Sequence, residues 1–383
     1  MTTAPLNMPS TPSLTIDQAI ARQAIDSKTK PLGALGRLED VAVQLAVLQG
    51  TLTPSIGRTR VCVFGADHGV SDEGVSAYPR AVTGEMMRNF DRGGAAINVI
   101  AAANHVDVEV IDVGVDADLK ALTHIRHQKV RPGSRNMCIE PAMTVDELAA
   151  AFAVGTAAAQ RAVTDGVSAL GLGEMGIGNT TAAAALLSAL TGHSAEITVG
   201  RGTGVDDPTF AKKRTVVEAA LNRHISKTSA VTNPYELMRC VGGLELAAIT
   251  GAALEAAQHG IAVMADGFIS TVAILCALRM ETVPGSEEGR GHTPLSGALF
   301  FAHRSAERGH GLALEACAAA TGCDARPLLT LDMRLGEGSG AALAMPILRA
   351  AVAIMRDMAT FASAGVSAGA QAEVHTAPRT EPG

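Results

Sequence analysis

Gly171-Leu-Gly-Glu-Met-Gly-Ile-Gly-Asn-Thr-Thr181 decides how this chain folds, because of what stands on either side of it. Before it, Val167-Ser-Ala-Leu170 is short and apolar enough for a buried strand; after it, Ala182–Leu190 is a run of strong helix formers. Strand, glycine loop and helix, in that order, present free backbone N–H groups and the positive end of a helix dipole to an anion. Gly173, Gly176 and Gly178 let backbone approach a ligand, while Asn179, Thr180 and Thr181 add short donors at the helix start. Glu174 would repel phosphate, so it is expected to face the part of a ligand that carries or develops positive charge. The competing reading is a tight turn whose glycines serve packing only.

Two familiar loops do not fit. A Walker loop needs a lysine before its hydroxyl residue, and Asn179 stands there. The dinucleotide pattern G-x-G-x-x-G is met by Gly171, Gly173 and Gly176, but one match among 40 glycines is weak. Glu196, at about the right distance for a ribose-binding acid, precedes the next expected strand instead of ending it.

Composition narrows the rest. With 383 residues, 47% of them hydrophobic, the chain can bury a large core. A net charge of −7, no Trp and only two Tyr leave neither a basic footprint nor stacking platforms, so no nucleic-acid partner is expected. Six cysteines without a C-x-x-C pair read as buried thiols of a reducing cytosol rather than a disulfide or zinc framework. No basic region followed by an apolar core opens the chain, so a cytoplasmic location without a membrane span is expected. The alanine-rich stretch Leu148–Val163 carries Gln160 and Arg161 behind the capping box Thr144-Val-Asp-Glu147, which marks a globular helix.

Along the chain, residues 1–13 form a Thr/Pro-rich tail and Thr15-Ile-Asp-Gln18 is a capping box for a first helix. Arg37–Leu48 is a second, before any strand, so the two predict a separate helical lobe. Arg60–Phe64 is the first strand, followed by Gly65-Ala-Asp-His-Gly69 at the end where ligands bind in a doubly wound sheet. Glu73–Arg80, with Ser76 and Tyr78, either encloses a small aromatic substrate or is an ordinary surface loop. Ile197-Thr-Val-Gly-Arg-Gly-Thr-Gly204 reads as a second strand-to-glycine passage, ahead of a helix with Lys212, Lys213 and Arg214. It either wraps a phosphate from a second side or is a turn beside a solvated basic face. Ile261–Ala265 is another strand, closed by Asp266-Gly-Phe-Ile-Ser270, and the alternation predicts an α/β fold with a largely parallel sheet. His303, Glu307 and His310 have helical spacing but not the H-E-x-x-H order, and read as partly solvated residues, not a zinc site. Pro327–Thr330 is an apolar segment leading to a third glycine loop around Glu337 and a long helix; residues 364–383 are a second tail.

Glu174 and Glu337 thus share a setting, each in a glycine loop between an apolar segment and a helix. A carboxylate so placed is partly desolvated, which raises its pKa and suits it to general-base work. Together with the two phosphate-type loops, the pair points to a phosphorylated substrate whose reaction needs a base or a stabilised cation.

These same segments carry a resemblance. Gly171–Thr181, Gly200–Asp207, Val263–Thr271 and Leu335–Met345, with Phe64–Pro79 and Lys30–Glu39, resemble the nicotinate-nucleotide:dimethylbenzimidazole phosphoribosyltransferases. The similarity runs from about residue 14 to 363, with Ser339 where threonine is common and an insertion-like polar stretch at Ser286–His292. The resemblance implies a Rossmann-like α/β domain over residues 53–339, a small helical domain from residues 14–52 and 340–363, and a homodimer. It implies transfer of ribose 5-phosphate from nicotinate mononucleotide to 5,6-dimethylbenzimidazole, in cobalamin lower-ligand synthesis, with no metal or cofactor. By the same likeness Glu337 is the general base and Glu174 stabilises charge on the ribose. Gly176, Gly178, Asn179, Thr180, Gly202, Thr203, Gly204 and Lys213 hold the nucleotide; Ser76, Tyr78, Met333 and Leu335 form the base pocket, and Asp266 is counted as substrate-binding. An idle nucleotide sensor would have no use for Glu337, and a small-molecule kinase would need the missing Walker lysine.

Overall fold

The structure, a computed structural model, describes residues 16–202, 204–225, 233–282, 295–322 and 324–367. Thr203, the Ser286–His292 stretch, Thr15 and most of both tails lie outside the described residues. The chain forms two compact units, Ser55–Ala350 and the two chain ends, Met1–Pro54 with Ala351–Gly383.

The larger unit is built on six strands: β1 (Arg58–Ala66), β2 (Asp107–Gly114), β3 (Ile125–His127), β4 (Val167–Met175), β5 (Ala262–Ala265) and β6 (Leu299–Phe301). They lie in the order β3-β2-β1-β4-β5-β6 and every pairing is parallel. Eight of the nine β1 residues are buried, as expected of a strand covered on both faces. The chain winds outward from β1 to β3, then returns to lay β4 on the other side of β1. That reversal opens a crevice at the carboxyl ends of β1 and β4, the place where such sheets take ligands.

Around β4 the structure corrects the sequence. The strand does not stop at Leu170 but continues through Met175, so Glu174 sits on β4, opposite Phe64 of β1. Gly171 and Gly173 are strand residues whose missing side chains make room for packing. A Cβ on Gly173 would lie 2.4 Å from Gly338 N, and one on Gly171 2.8 Å from the Val61 side chain. The loop proper is only Gly176–Gly178, with Gly178 left-handed at φ 96°, and the helix Asn179–Thr191 follows with Ala182–Leu187 wholly buried. The strand glycines serve packing and Gly178 makes the turn, both in the sense of the tight-turn reading.

Elsewhere, Ala195–Thr198 is a short helix and not a strand, because Ile197 and Thr198 donate back to Ser194 O. The Pro327–Thr330 segment contributes only β8 (Leu329–Thr330), paired with β7 (His303–Arg304) in a separate two-stranded sheet. The first helix, Gln18–Asp26, is capped by Asp17, whose carboxylate accepts from Ile20 N at 2.8 Å. The Thr144–Glu147 capping box forms as expected, with Glu147 N donating to Thr144 Oγ1 at 3.1 Å.

Among the described residues one helix, Ser339–Asp357, is long and apolar enough to cross a membrane. Its Arg349 instead donates to Thr59 Oγ1 at 2.7 Å and Asn104 O at 2.9 Å, the behaviour of a core helix. In the smaller unit the two chain ends are laced together: Thr29 N donates to Ala359 O, Phe361 N to Ser27 O, and Lys28 Nζ to Met358 O at 2.8 Å. Lys30 and Glu39 pair at 2.9 Å with both side chains buried, so removing either would strand the other's charge.

Candidate active site

Three strand ends supply the site. β4 carries Glu174 to the carboxyl edge, where its Oε2 accepts from the Asn179 amide in the first turn of the next helix. β5 ends immediately before Asp266, and β1 immediately before Asp67 and His68. Glu337 arrives by a different route, on the 331–338 loop beyond β8. Its N–H donates to Glu174 O at 3.2 Å, so the two glutamates are neighbours although 163 residues apart.

Glu337 is held in an unusual way. Its φ is 64°, the left-handed region that a non-glycine residue rarely adopts. Gly336 and Gly338 on either side are also left-handed. The side chain is buried and its Oε2 accepts from Ile97 N at 3.2 Å, at the positive end of the helix Ala96–Ala103. Burial pushes the Glu337 carboxyl up from the ordinary carboxylate range, the Ile97 N–H opposes the shift, and the nearby Asp266 charge adds to it. Glu174 is pushed further, well above that range, first by burial and then by Glu245, Asp266 and Glu337 around it. Four buried acids therefore face one small region.

Two basic side chains stand at the same cleft, Arg334 in its lining and Lys213 behind Thr180. Lys213 is 1% exposed and its Nζ donates to Thr180 Oγ1 at 2.7 Å. Burial brings its pKa down to about 8, with Glu307 pulling the other way. Arg334 donates to Gly202 O at 2.9 Å and ties the 331–338 loop to the glycines after Gly200.

Glu174, Gly176, Asn179, Thr180, Gly202, Asp266 and Leu335 all line one cleft. Glu337 adjoins it through Glu174, and Lys213 reaches it through Thr180. Gly178 lies behind the lining, its Cα face toward His68 and Ser71, and Gly204 lines an adjoining cavity with Arg201 and Phe210. Ser76, Tyr78 and Met333 do not line the cleft: Ser76 Oγ accepts from Tyr78 N, Tyr78 is 51% exposed, and Met333 O accepts from Ala306 N.

Sequence reasoning passed over a buried pair beneath the cleft, His68 and Glu245, 2.8 Å apart. His68 stands at the strand end marked as a ligand position, but nothing in the sequence links it to a glutamate 177 residues away. His303, Glu307 and His310 need correcting too. All three are buried rather than solvated, and they share no helix, since His303 lies on β7 and the helix begins at His310. His310 accepts from Ser305 N through Nδ1 and meets Thr271 Oγ1 through Nε2, and burial takes its pKa down to about 3. It is a neutral core ring. His303 and Glu307 line the cleft, and no metal-ligating cluster occurs among the described residues.

A larger cavity, about 940 Å³, opens at the amino end of the sheet. Its arginines are paired: Arg60 with Asp165 at 2.6 Å, Arg161 with Glu109 at 2.8 Å and Arg58 with Asp107 at 2.5 Å. Size alone does not make it the site.

Comparison with known proteins agrees with the geometry. A family model described as phosphoribosyltransferase matches residues 12–366. A nicotinate-nucleotide–dimethylbenzimidazole phosphoribosyltransferase of Chromobacterium violaceum is 50% identical over 350 residues, 91% of this chain and 95% of that protein. One of the same name from Pseudomonas aeruginosa is 48% identical over 347 residues, 91% of this chain and 93% of its own. The crystal structure of CobT from Thermus thermophilus superposes with a TM-score of 0.83 at 48% identity, covering 92% of this chain and 99% of that one.

Proposed function

Because the chain belongs to the nicotinate-nucleotide–dimethylbenzimidazole phosphoribosyltransferase family, we propose a division of labour within its cleft for the transfer that the family performs. The reaction moves ribose 5-phosphate from nicotinate mononucleotide to 5,6-dimethylbenzimidazole, giving α-ribazole 5′-phosphate and nicotinate. Glu337 takes the benzimidazole N–H proton, and the other ring nitrogen attacks the anomeric carbon as the bond to nicotinate breaks. The electron pair of that bond returns to the pyridine nitrogen, so the leaving group needs no acid. Attack from the opposite face turns β into α.

The observation that carries this reading is the contact of Glu337 with Glu174 at a cleft lined by Glu174 and Thr180, with Lys213 bonded to Thr180. A base needs a pKa raised toward the working pH, and burial supplies that for Glu337. Burial and the acids around it push the Glu174 pKa well above the ordinary carboxylate range, and a pyridinium or an oxocarbenium-like ribose beside it would favour its charged form. The phosphate fits the Lys213–Thr180 corner at the start of the helix Asn179–Thr191. The cleft encloses about 80 Å³ here. It adjoins a cavity of about 480 Å³ that shares Glu307 and Arg334 with it.

Ser76, Tyr78, Leu335 and Met333 remain the residues proposed to receive the base. The exposed Tyr78 and Leu335 suit a pocket completed by the second chain of a homodimer in the cytoplasm. Incubation with nicotinate mononucleotide and a panel of benzimidazoles, purines and phenols tests the function. An α-ribotide of dimethylbenzimidazole with release of nicotinate is expected, and hydrolysis to ribose 5-phosphate alone would refute the transfer.

A further inference from the structure

Asp266 does more than line the cleft. Its Oδ1 accepts from Ala341 N at 2.9 Å and its Oδ2 from Gly338 N at 3.2 Å, so one carboxylate spans the residues that follow Glu337. Gly340 N–H also faces it. The helix Ser339–Asp357 begins here, yet Ser339 Oγ is buried without a hydrogen-bond partner, so the helix's own first residue supplies no cap. Asp266, from the end of β5, takes that role from outside. The fit is tight on the remaining side. A Cβ on Gly340 would stand 2.0 Å from His303 Cδ2 and 2.9 Å from Asp266 Oδ1, so ring and carboxylate both press on that glycine. Three consecutive left-handed residues, Gly336, Glu337 and Gly338, lie just upstream. Such a run keeps its shape only where its surroundings determine it.

We propose that Asp266 is a positioning residue for Glu337: it grips the helix start behind the left-handed turn and so aims the reacting carboxylate, with no bond of its own to substrate. The proposal rests on Glu337 being the base. It explains why an acid at a strand end, the usual place for a ligand contact, has both oxygens committed to backbone N–H groups. The charge has a second consequence. The ionisable groups facing Glu337 are Glu174 on β4, Asp266 and, behind Asp266, His303; the helix Ala96–Ala103 brings none. The negative charge of Asp266 raises the Glu337 pKa, so its removal lowers that pKa and leaves the base ionised at more acidic pH.

Asp266→Asn tests this. A misplaced base is expected to lower kcat roughly 10- to 100-fold. KM for nicotinate mononucleotide should hold, and the acid limb of the kcat/KM profile should move to lower pH. A raised KM for the nucleotide with unchanged kcat would make Asp266 a substrate ligand and overturn the proposal. A fall in kcat with an unmoved acid limb would reduce it to a fold-stabilising residue, also against the proposal. If the variant does not fold, Gly340→Ala carries the test, because its Cβ collides with His303 while all charges stay. It should lose kcat with nucleotide binding retained and the acid limb in place; full activity would overturn the proposal. Glu337→Gln separates the two ideas. If it is active, the base assignment fails; if it is inactive while Asp266→Asn turns over normally, only the positioning role fails.

Discussion

The two ends of the sheet both gather charged side chains and treat them in opposite ways. At the amino end, Arg58, Arg60 and Arg161 each meet an acid within hydrogen-bonding distance around a wide, open cavity. At the carboxyl end, Glu174, Asp266 and Glu337 crowd a narrow cleft with Glu245 beneath it, and among the described residues no lysine or arginine pairs with any of the four. Paired charges lower the energy of the folded chain and do nothing further. Uncompensated acids raise it, and they persist because a bound ligand can supply the missing positive charge.

Breaking the carboxyl end should have the largest effects. Glu337→Gln keeps the shape but cannot accept a proton, so kcat should fall by roughly 10²- to 10⁴-fold with nucleotide binding intact. Near-normal turnover would place the base elsewhere. Glu174→Gln should lower kcat by about 10²-fold if the carboxylate stabilises cationic ribose. The same change should raise Tm of the empty protein. The folded-state pKa of Glu174 is raised, so its contribution to stability is full at low pH and lost as pH rises through that pKa. Melting curves of wild type and variant should therefore converge in acid and separate toward neutral pH. A variant less stable at every pH would contradict the crowding of like charges.

Lys213→Ala should raise KM for nicotinate mononucleotide about tenfold, with little change in KM for the base, because the lost charge faces phosphate. Equal effects on both substrates would remove Lys213 from the phosphate corner. At the amino end, Arg58→Ala breaks a half-exposed pair with Asp107 and should cost no more than about 1 kcal/mol, with activity unchanged. A clear loss of turnover there would abolish the distinction between the two ends.

Local pattern foretold some parts of the molecule better than others. The strand before Gly176, the helix after it and the capped helix from Val145 each rest on residues within one short window. The end of β4 was misjudged because Gly171 and Gly173 look like loop residues when their neighbours are unknown. What they make room for, Val61 and Gly338, comes from elsewhere in the chain. Spacing leaves His303 and Glu307 looking solvated for the same reason, since it cannot show that they turn into a cleft.

The sequence by itself determined the alternation of strands and helices, the glycine-framed glutamates Glu174 and Glu337, and Lys213 as a basic residue beside a glycine loop. Each is a property of residue type and near neighbours, which side-chain chemistry and backbone preference express directly. Only the tertiary structure decided that Glu337 reaches the cleft outside the main sheet, in a left-handed turn gripped by Asp266. Only it decided that His68 and Glu245 lie buried together beneath the site. Those facts depend on which distant segments pack side by side, and burial by such segments is what moves the carboxyl pKa values on which the chemistry turns.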